Sequence, residues 1–246
     1  MSEAIERPGL RMVVVSNIPS PWSEAAKGIF HIEKIQWTAT RLAYDDPALP
    51  KWIGSITAPA VVLDDEAPRT GWAEILLLAE RLAESPSLLP SDPLERATMM
   101  GLSHELMGVG GLCWARRLQG VHAGLTGKGG FGARVSGYLA QKYGYRPDEA
   151  DAIRGRVASL LSMFADRLAS SSGAYVMGDA VTAVDVYLAV TLALFDPLPP
   201  EQCDMLPKYR EAYSSLDDET KAALSPGLLA FRDRMYAEHL ELPLSL

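Results

Sequence analysis

The chain has 246 residues, 48% of them hydrophobic and 22% charged, and a formal net charge of −8. That length admits one large or two modest packed units, and an acidic balance with no basic run argues against nucleic acid or an anionic membrane as the main partner. Cys113 and Cys203 are the only cysteines, too few for a disulfide framework, and no stretch approaches the ~20 apolar residues that span a bilayer. The apolar run Met12–Val15 is far too short for a signal peptide, so a reducing, cytoplasmic setting is expected.

Met12–Val15 is a short β-branched run closed by Ser16 and Asn17, which predicts a buried central strand. Ser20-Pro21, with Ser23 and Glu24 close behind, is a helix start. Residues 36–42 alternate as a second strand, and a Pro-rich connection with a helical turn, Asp46–Ile53, follows. Pro59–Leu63 predicts a third strand ending in the turn pair Asp64-Asp65. Over Thr70–Glu84, Ile75, Leu78, Ala79 and Leu82 recur at helical spacing. Strands alternating with helices in this way make an α/β unit.

Ser85–Pro90 has linker composition, and everything after it is helical in pattern. Asp92–Glu95 is a capping box that opens one long helix reaching about His122. Gly108, Gly110 and Gly111 each cost about 1 kcal/mol inside a helix, so this helix is expected to bend there. Helices are further expected over Asp148–Ser170, Thr182–Phe195, Tyr209–Ser214, Asp217–Leu224 and Leu228–Leu240. The expected division is an α/β domain over 1–84, a linker over 85–92 and an all-helical domain over 93–246.

Three features, in order and spacing, resemble the glutathione transferase superfamily. They are Ser20-Pro21-Trp22-Ser23 at the strand-to-helix turn, Ala58-Pro59 at the third strand, and the capping segment Gly178–Asp185. The resemblance runs from about Met12 to the C-terminus and implies a thioredoxin-like α/β domain, then an all-α domain, with glutathione bound by the first as co-substrate. It implies Ser20 as the catalytic hydroxyl, donating to the glutathione thiolate at a helix start whose free N–H groups and dipole favour an anion. Ser16 and Asn17 are alternative donors, and Ser20 as a plain helix cap is the other reading. A cis peptide before Pro59 would turn the Ala58 backbone toward the cysteinyl unit of glutathione; a trans proline opening an edge strand is the alternative. Asn17, Trp22, Ala58, Pro59, Arg69 and Thr70 are then the glutathione-binding candidates. The pair Thr182 and Asp185 is a folding feature, with Thr182 capping and Asp185 reaching back.

The chain departs from the family where Glu/Gln-Ser should precede the helix near Thr70, since it carries Pro68-Arg69-Thr70-Gly71-Trp72. Thr70 can supply a hydroxyl and Arg69 can pair with a glutathione carboxylate, or Arg69 is a solvated turn residue. Serine at both 20 and 23, where thioredoxins carry Cys-x-x-Cys, excludes dithiol exchange and resembles serine-type transferases. In this fold the helix after Asp92 borders the pocket for a hydrophobic substrate. Met107, Trp114, Arg117, His122 and Tyr138 are the candidates to line it; the alternative is that Met107 and Trp114 are plain interdomain core, since apolar residues at helical spacing usually mean packing. His31, His104, His122 and His239 show no metal spacing, so no metal is expected, and the glycine-rich 127–132 follows a helix and is a turn.

The resemblance thus implies a homodimeric, glutathione-dependent transferase acting on a small hydrophobic electrophile, by conjugation or by displacement at an ether or halide carbon. The alternatives are a non-catalytic binding protein on the same scaffold, or a glutathione-dependent isomerase or peroxidase.

Overall fold

The computed structural model describes residues 5–42, 47–84 and 86–245. Asp46, at the head of the expected connection, and Ser85, at the head of the linker, lie outside the described residues.

The first part runs β1 (Leu10–Val14), α1 (Pro21–Ile32), β2 (Thr38–Arg41), α2 (Ala48–Ile53), β3 (Ala60–Leu63) and α3 (Trp72–Leu82). The sheet order is β2-β1-β3, with β2 parallel and β3 antiparallel to β1. A central strand must be apolar on both faces, and Met12 and Val13 are both fully buried. Met12 joins the main core with Ile29 and Phe30 of α1 and Ile75 and Leu76 of α3. Val13 faces a smaller core of Leu49, Ile53, Ala60 and Val62 beneath α2.

The second part is all helix: α4 (Pro93–Met107), α5 (Leu112–Leu125), α6 (Ala133–Tyr143), α7 (Ala150–Ser170), α8 (Ala183–Leu192), α9 (Pro207–Ser214), α10 (Asp218–Ala223) and α11 (Pro226–Glu238). Asp92 caps α4, its carboxylate accepting from the Leu94 and Glu95 N–H groups at 2.9 Å each.

The single bent helix expected from Asp92 to His122 is in fact two helices. Gly110 has φ 77°, a left-handed value that a helix cannot contain. At Gly111 an added Cβ would lie 2.8 Å from the His104 and Glu105 carbonyl oxygens. The glycines therefore end one helix and begin another. The helix α6 was not anticipated either. Only Ser136 is buried along it, and Leu139 and Ala140 reach the core only in part.

The helix α8 is buried along its whole length and packs against α1, α4 and α11, tying the two parts together. Gly28 permits the approach of α1, since a Cβ there would meet Leu240 Cδ2 at 2.8 Å and Val186 Cγ1 at 3.0 Å. Asp185 organises the α8 start: its carboxylate accepts from Val176 N at 2.8 Å, Thr182 N at 2.9 Å and the Thr182 hydroxyl at 2.8 Å. Asp185 reaches back as expected, and the Thr182 hydroxyl serves it as a donor.

Candidate functional site

The register of the sheet gathers one group of candidates. Val13, near the end of β1, pairs with Ala60 at the start of β3. The loop from β1 into α1, which carries Asn17 and Ser20, therefore leaves the sheet beside Ala58-Pro59. That peptide is cis. On the other side of β3, Val61 and Arg69 exchange backbone hydrogen bonds at 2.8 and 2.9 Å. This antiparallel bridge carries Thr70 and the start of α3 to the same end of the sheet.

Ser20 is the N-cap of α1, with Pro21 at the first helical position, yet its side chain makes no capping hydrogen bond. It is only 5% exposed. A buried hydroxyl not used by its own helix is available to another acceptor, at a helix end where the backbone favours negative charge. Asn17 is exposed and left-handed, with φ 65°. Thr70 is exposed as well.

Arg69 is already engaged. Its guanidinium pairs with Glu66, which also pairs with Arg81 at 2.6 Å. Hydrogen bonds from Arg69 and then Arg81 hold the Glu66 carboxyl below its ordinary range. At the α3 start Glu74 accepts from Gly71 N at 3.1 Å, so a carboxylate of the chain itself occupies part of that helix end.

Trp22 faces the helical part. Its indole N–H donates to the Met107 carbonyl at 2.9 Å, and its ring stacks on Tyr143 with centroids 6.2 Å apart. Tyr143 in turn meets Trp114 edge-on at 4.7 Å, and the Lys142 ammonium lies 5.9 Å from the Tyr143 ring and 6.0 Å from that of Tyr138. Trp22, Trp114, Tyr138, Lys142 and Tyr143 thus form one aromatic and cationic cluster next to the turn that carries Ser20.

Arg117, one turn beyond Trp114, is buried between the rings of Phe131 and Tyr213, at 5.4 and 5.9 Å. Met107 and His122 are placed differently. The Met107 side chain is buried in the core, 3.8 Å from Cys113 Sγ. His122 shares a 2.7 Å hydrogen bond with the Tyr145 hydroxyl, which gives it a packing role.

Residues 147–234 match the family model described as glutathione S-transferase, C-terminal domain. Solved structures match along nearly the whole chain. A glutathione S-transferase domain-containing protein from Marinobacter aquaeolei VT8 aligns with TM-score 0.66 at 16% identity, over 93% of this chain and 98% of that one. The fold is that of the glutathione S-transferase superfamily. A beta-etherase from Sphingobium sp. strain SYK-6 aligns at TM-score 0.65 and 16% identity, over 94% and 96% of the two chains. A glutathione S-transferase from Methylobacterium radiotolerans, in complex with glutathione sulfonate, aligns at 0.64 and 16%, over 96% and 97%. No curated protein sequence matches the chain.

Within this glutathione S-transferase fold neither cysteine offers a nucleophile. Both are buried and unpaired with each other, and burial pushes the Cys113 thiol up to about 12. No group of three or more His, Cys, Asp or Glu among the described residues has metal-binding geometry, and none of their helices is long and apolar enough to cross a membrane. Sequence reasoning missed Lys142, Tyr143 and Tyr213. A lysine and tyrosine at the end of an unanticipated helix give no signal until α6 is folded against α5.

Proposed function

We propose that the protein is a serine-type glutathione transferase acting on a hydrophobic electrophile, working as a cytoplasmic homodimer. Ser20 is the centre of that reading. Its hydroxyl donates to the thiolate sulfur of glutathione, and the α1 start favours the anion, so the thiol loses its proton nearer neutral pH. The Ala58 backbone, beside the cis-Pro59 turn, pairs with the cysteinyl unit as an added strand. The electrophile lies across the Trp22–Trp114–Tyr143 cluster. The sulfur then forms its bond to carbon while the leaving group departs with the bonding pair, and the rate gain comes from thiol ionisation and proximity. The beta-etherase among the similar structures supports displacement at an ether carbon as one form of this chemistry.

The observation that carries the reading is the uncommitted Ser20 hydroxyl at the N-cap of α1. The test is the thiol pKa of bound glutathione, read from thiolate absorbance in wild type and Ser20→Ala. Wild type should lower it by about one unit or more, which is about 1.4 kcal/mol per unit, and the variant should lose most of that. Equal values in the two proteins would contradict the role given to Ser20.

A second reading, a non-catalytic binding protein, is favoured by two observations: Arg69 is held by Glu66, and the α3 start by Glu74. Failure to bind glutathione at all would select it.

A further inference from the structure

Arg117 is 8% exposed and has no ion pair among the described residues; its Nε is buried without a partner, and the Tyr213 hydroxyl is the group its guanidinium bonds. The buried Tyr213 hydroxyl lies beside it and has no second partner among the described residues. The contrast with the preceding residue is sharp. Arg116, equally buried, donates to the carbonyls of Leu194, Tyr213 and Ser215 and to the Gln119 side chain. A buried guanidinium without a carboxylate partner leans on the Tyr213 hydroxyl and on ring faces at more than 5 Å.

Lys142 adds to the imbalance. It likewise has no ion pair among the described residues, and burial and then the Arg117 charge push its pKa down. Two cations therefore share one aromatic cluster with no carboxylate to balance them. Tyr143 connects them to the reaction centre, since it touches Trp22, two residues from Ser20. A cavity of about 10 Å³ is lined by Arg116 and Arg117 together with Gly120, Phe131, Leu194, Ala212 and Tyr213. That is room for one water-sized body, which suits a single carboxylate oxygen and not a phosphate.

We infer that the electrophile taken by this site is an aromatic acid, its ring against Trp114 and Tyr143 and its carboxylate held by Arg117, Lys142 and the Tyr213 hydroxyl. This rests on the transferase reading for the location of the second substrate, and it adds the substrate's charge. Arg117 and Lys142 have no carboxylate of their own among the described residues, and the Tyr213 hydroxyl, accepting from Arg117, keeps its proton to donate, which is what a substrate carboxylate completes.

The experiment compares cinnamate with neutral cinnamamide, by calorimetry and tryptophan fluorescence, in wild type, Arg117→Met and Lys142→Met. Wild type should bind cinnamate about tenfold more tightly or better, about 1.4 kcal/mol. Arg117→Met should erase the preference, and Lys142→Met, at a partly exposed position, should reduce it roughly threefold, about 0.6 kcal/mol. Should Arg117→Met fail to fold, the Lys142→Met ratio decides. Equal affinities in wild type, or a preference unchanged in the variants, would overturn the inference. Glutathione titrated into the same preparations separates the two claims. Cinnamate preference without glutathione binding sinks the transferase and leaves the subsite; glutathione binding without the preference does the reverse.

Discussion

The indole N–H of Trp22, in the first turn of α1, donates to the carbonyl of Met107, the last residue of α4, at 2.9 Å. That carbonyl lies at a helix end, where intrahelical donors run out. One hydrogen bond thus satisfies an otherwise open acceptor and fixes the helix start that carries Ser20 against the helical part. Trp22→Phe keeps a ring for Tyr143 but loses the bond, and should cost about 1 kcal/mol in urea unfolding. Trp22→Ala also loses the stack and should cost about 3 kcal/mol. No loss in either would mean that the tie does not form.

Ser20→Ala should leave stability nearly untouched, within about 0.5 kcal/mol, because the hydroxyl caps nothing. Asp92→Ala is the matched control. It removes the one carboxylate oxygen that accepts from two N–H groups at the α4 start and should cost about 1 kcal/mol or more. A Ser20→Ala loss as large as the control's would return Ser20 to a capping role.

Glu33 predicts a pH effect. Both its carboxyl oxygens are buried and unpartnered among the described residues, and burial, then neighbouring Glu80, pushes its pKa up to about 8. The folded protein holds a proton that the unfolded chain releases. The stabilisation is therefore full below about pH 4.5 and is lost as pH rises through about 8. The expected change, screened by solvent, is about 2 kcal/mol, measured by urea unfolding across that range. Glu33→Gln stays neutral and should flatten it; an unchanged slope would exclude Glu33 as the source.

Gly124 allows the loop before α6 to close on α5. A Cβ there would lie 2.0 Å from the Phe131 carbonyl oxygen and 2.1 Å from Ser136 Oγ. Gly124→Ala should destabilise by about 1–3 kcal/mol, and since Phe131 flanks Arg117 it should disturb the cation slot too. A melting temperature equal to wild type would contradict this packing.

Much of the architecture was legible because local chemistry wrote it. The β-branched run of β1, the Ser20-Pro21 helix start and the Asp92 cap each act within a few residues, and a window reveals them. The glycines at 108–111 announce strain in the sequence but not whether the helix bends or ends, because a helix-ending glycine differs from a kinking one only in the φ it adopts. The helix α6 was hidden, since it exposes most of its surface and owes its place to α5. The site divided the same way. Ser20 and Ala58-Pro59 are neighbours through the register of one sheet, which the element order implies. The lack of an ion pair for Arg117 among the described residues could not be read, because an absent partner is a property of every element packed around it. Likewise Glu66, which engages Arg69, is one of 31 acidic residues until the turn folds.

The central claim is that the Ser20 turn and the Ala58-Pro59 edge bind glutathione, and calorimetric titration of glutathione into wild type and Ser20→Ala tests it most directly. The account predicts saturable binding to wild type, with a Kd between roughly micromolar and low millimolar, about 4–8 kcal/mol, and weaker binding to the variant. No detectable heat of binding to wild type at about 10 mM glutathione, less than about 3 kcal/mol of affinity, would contradict it.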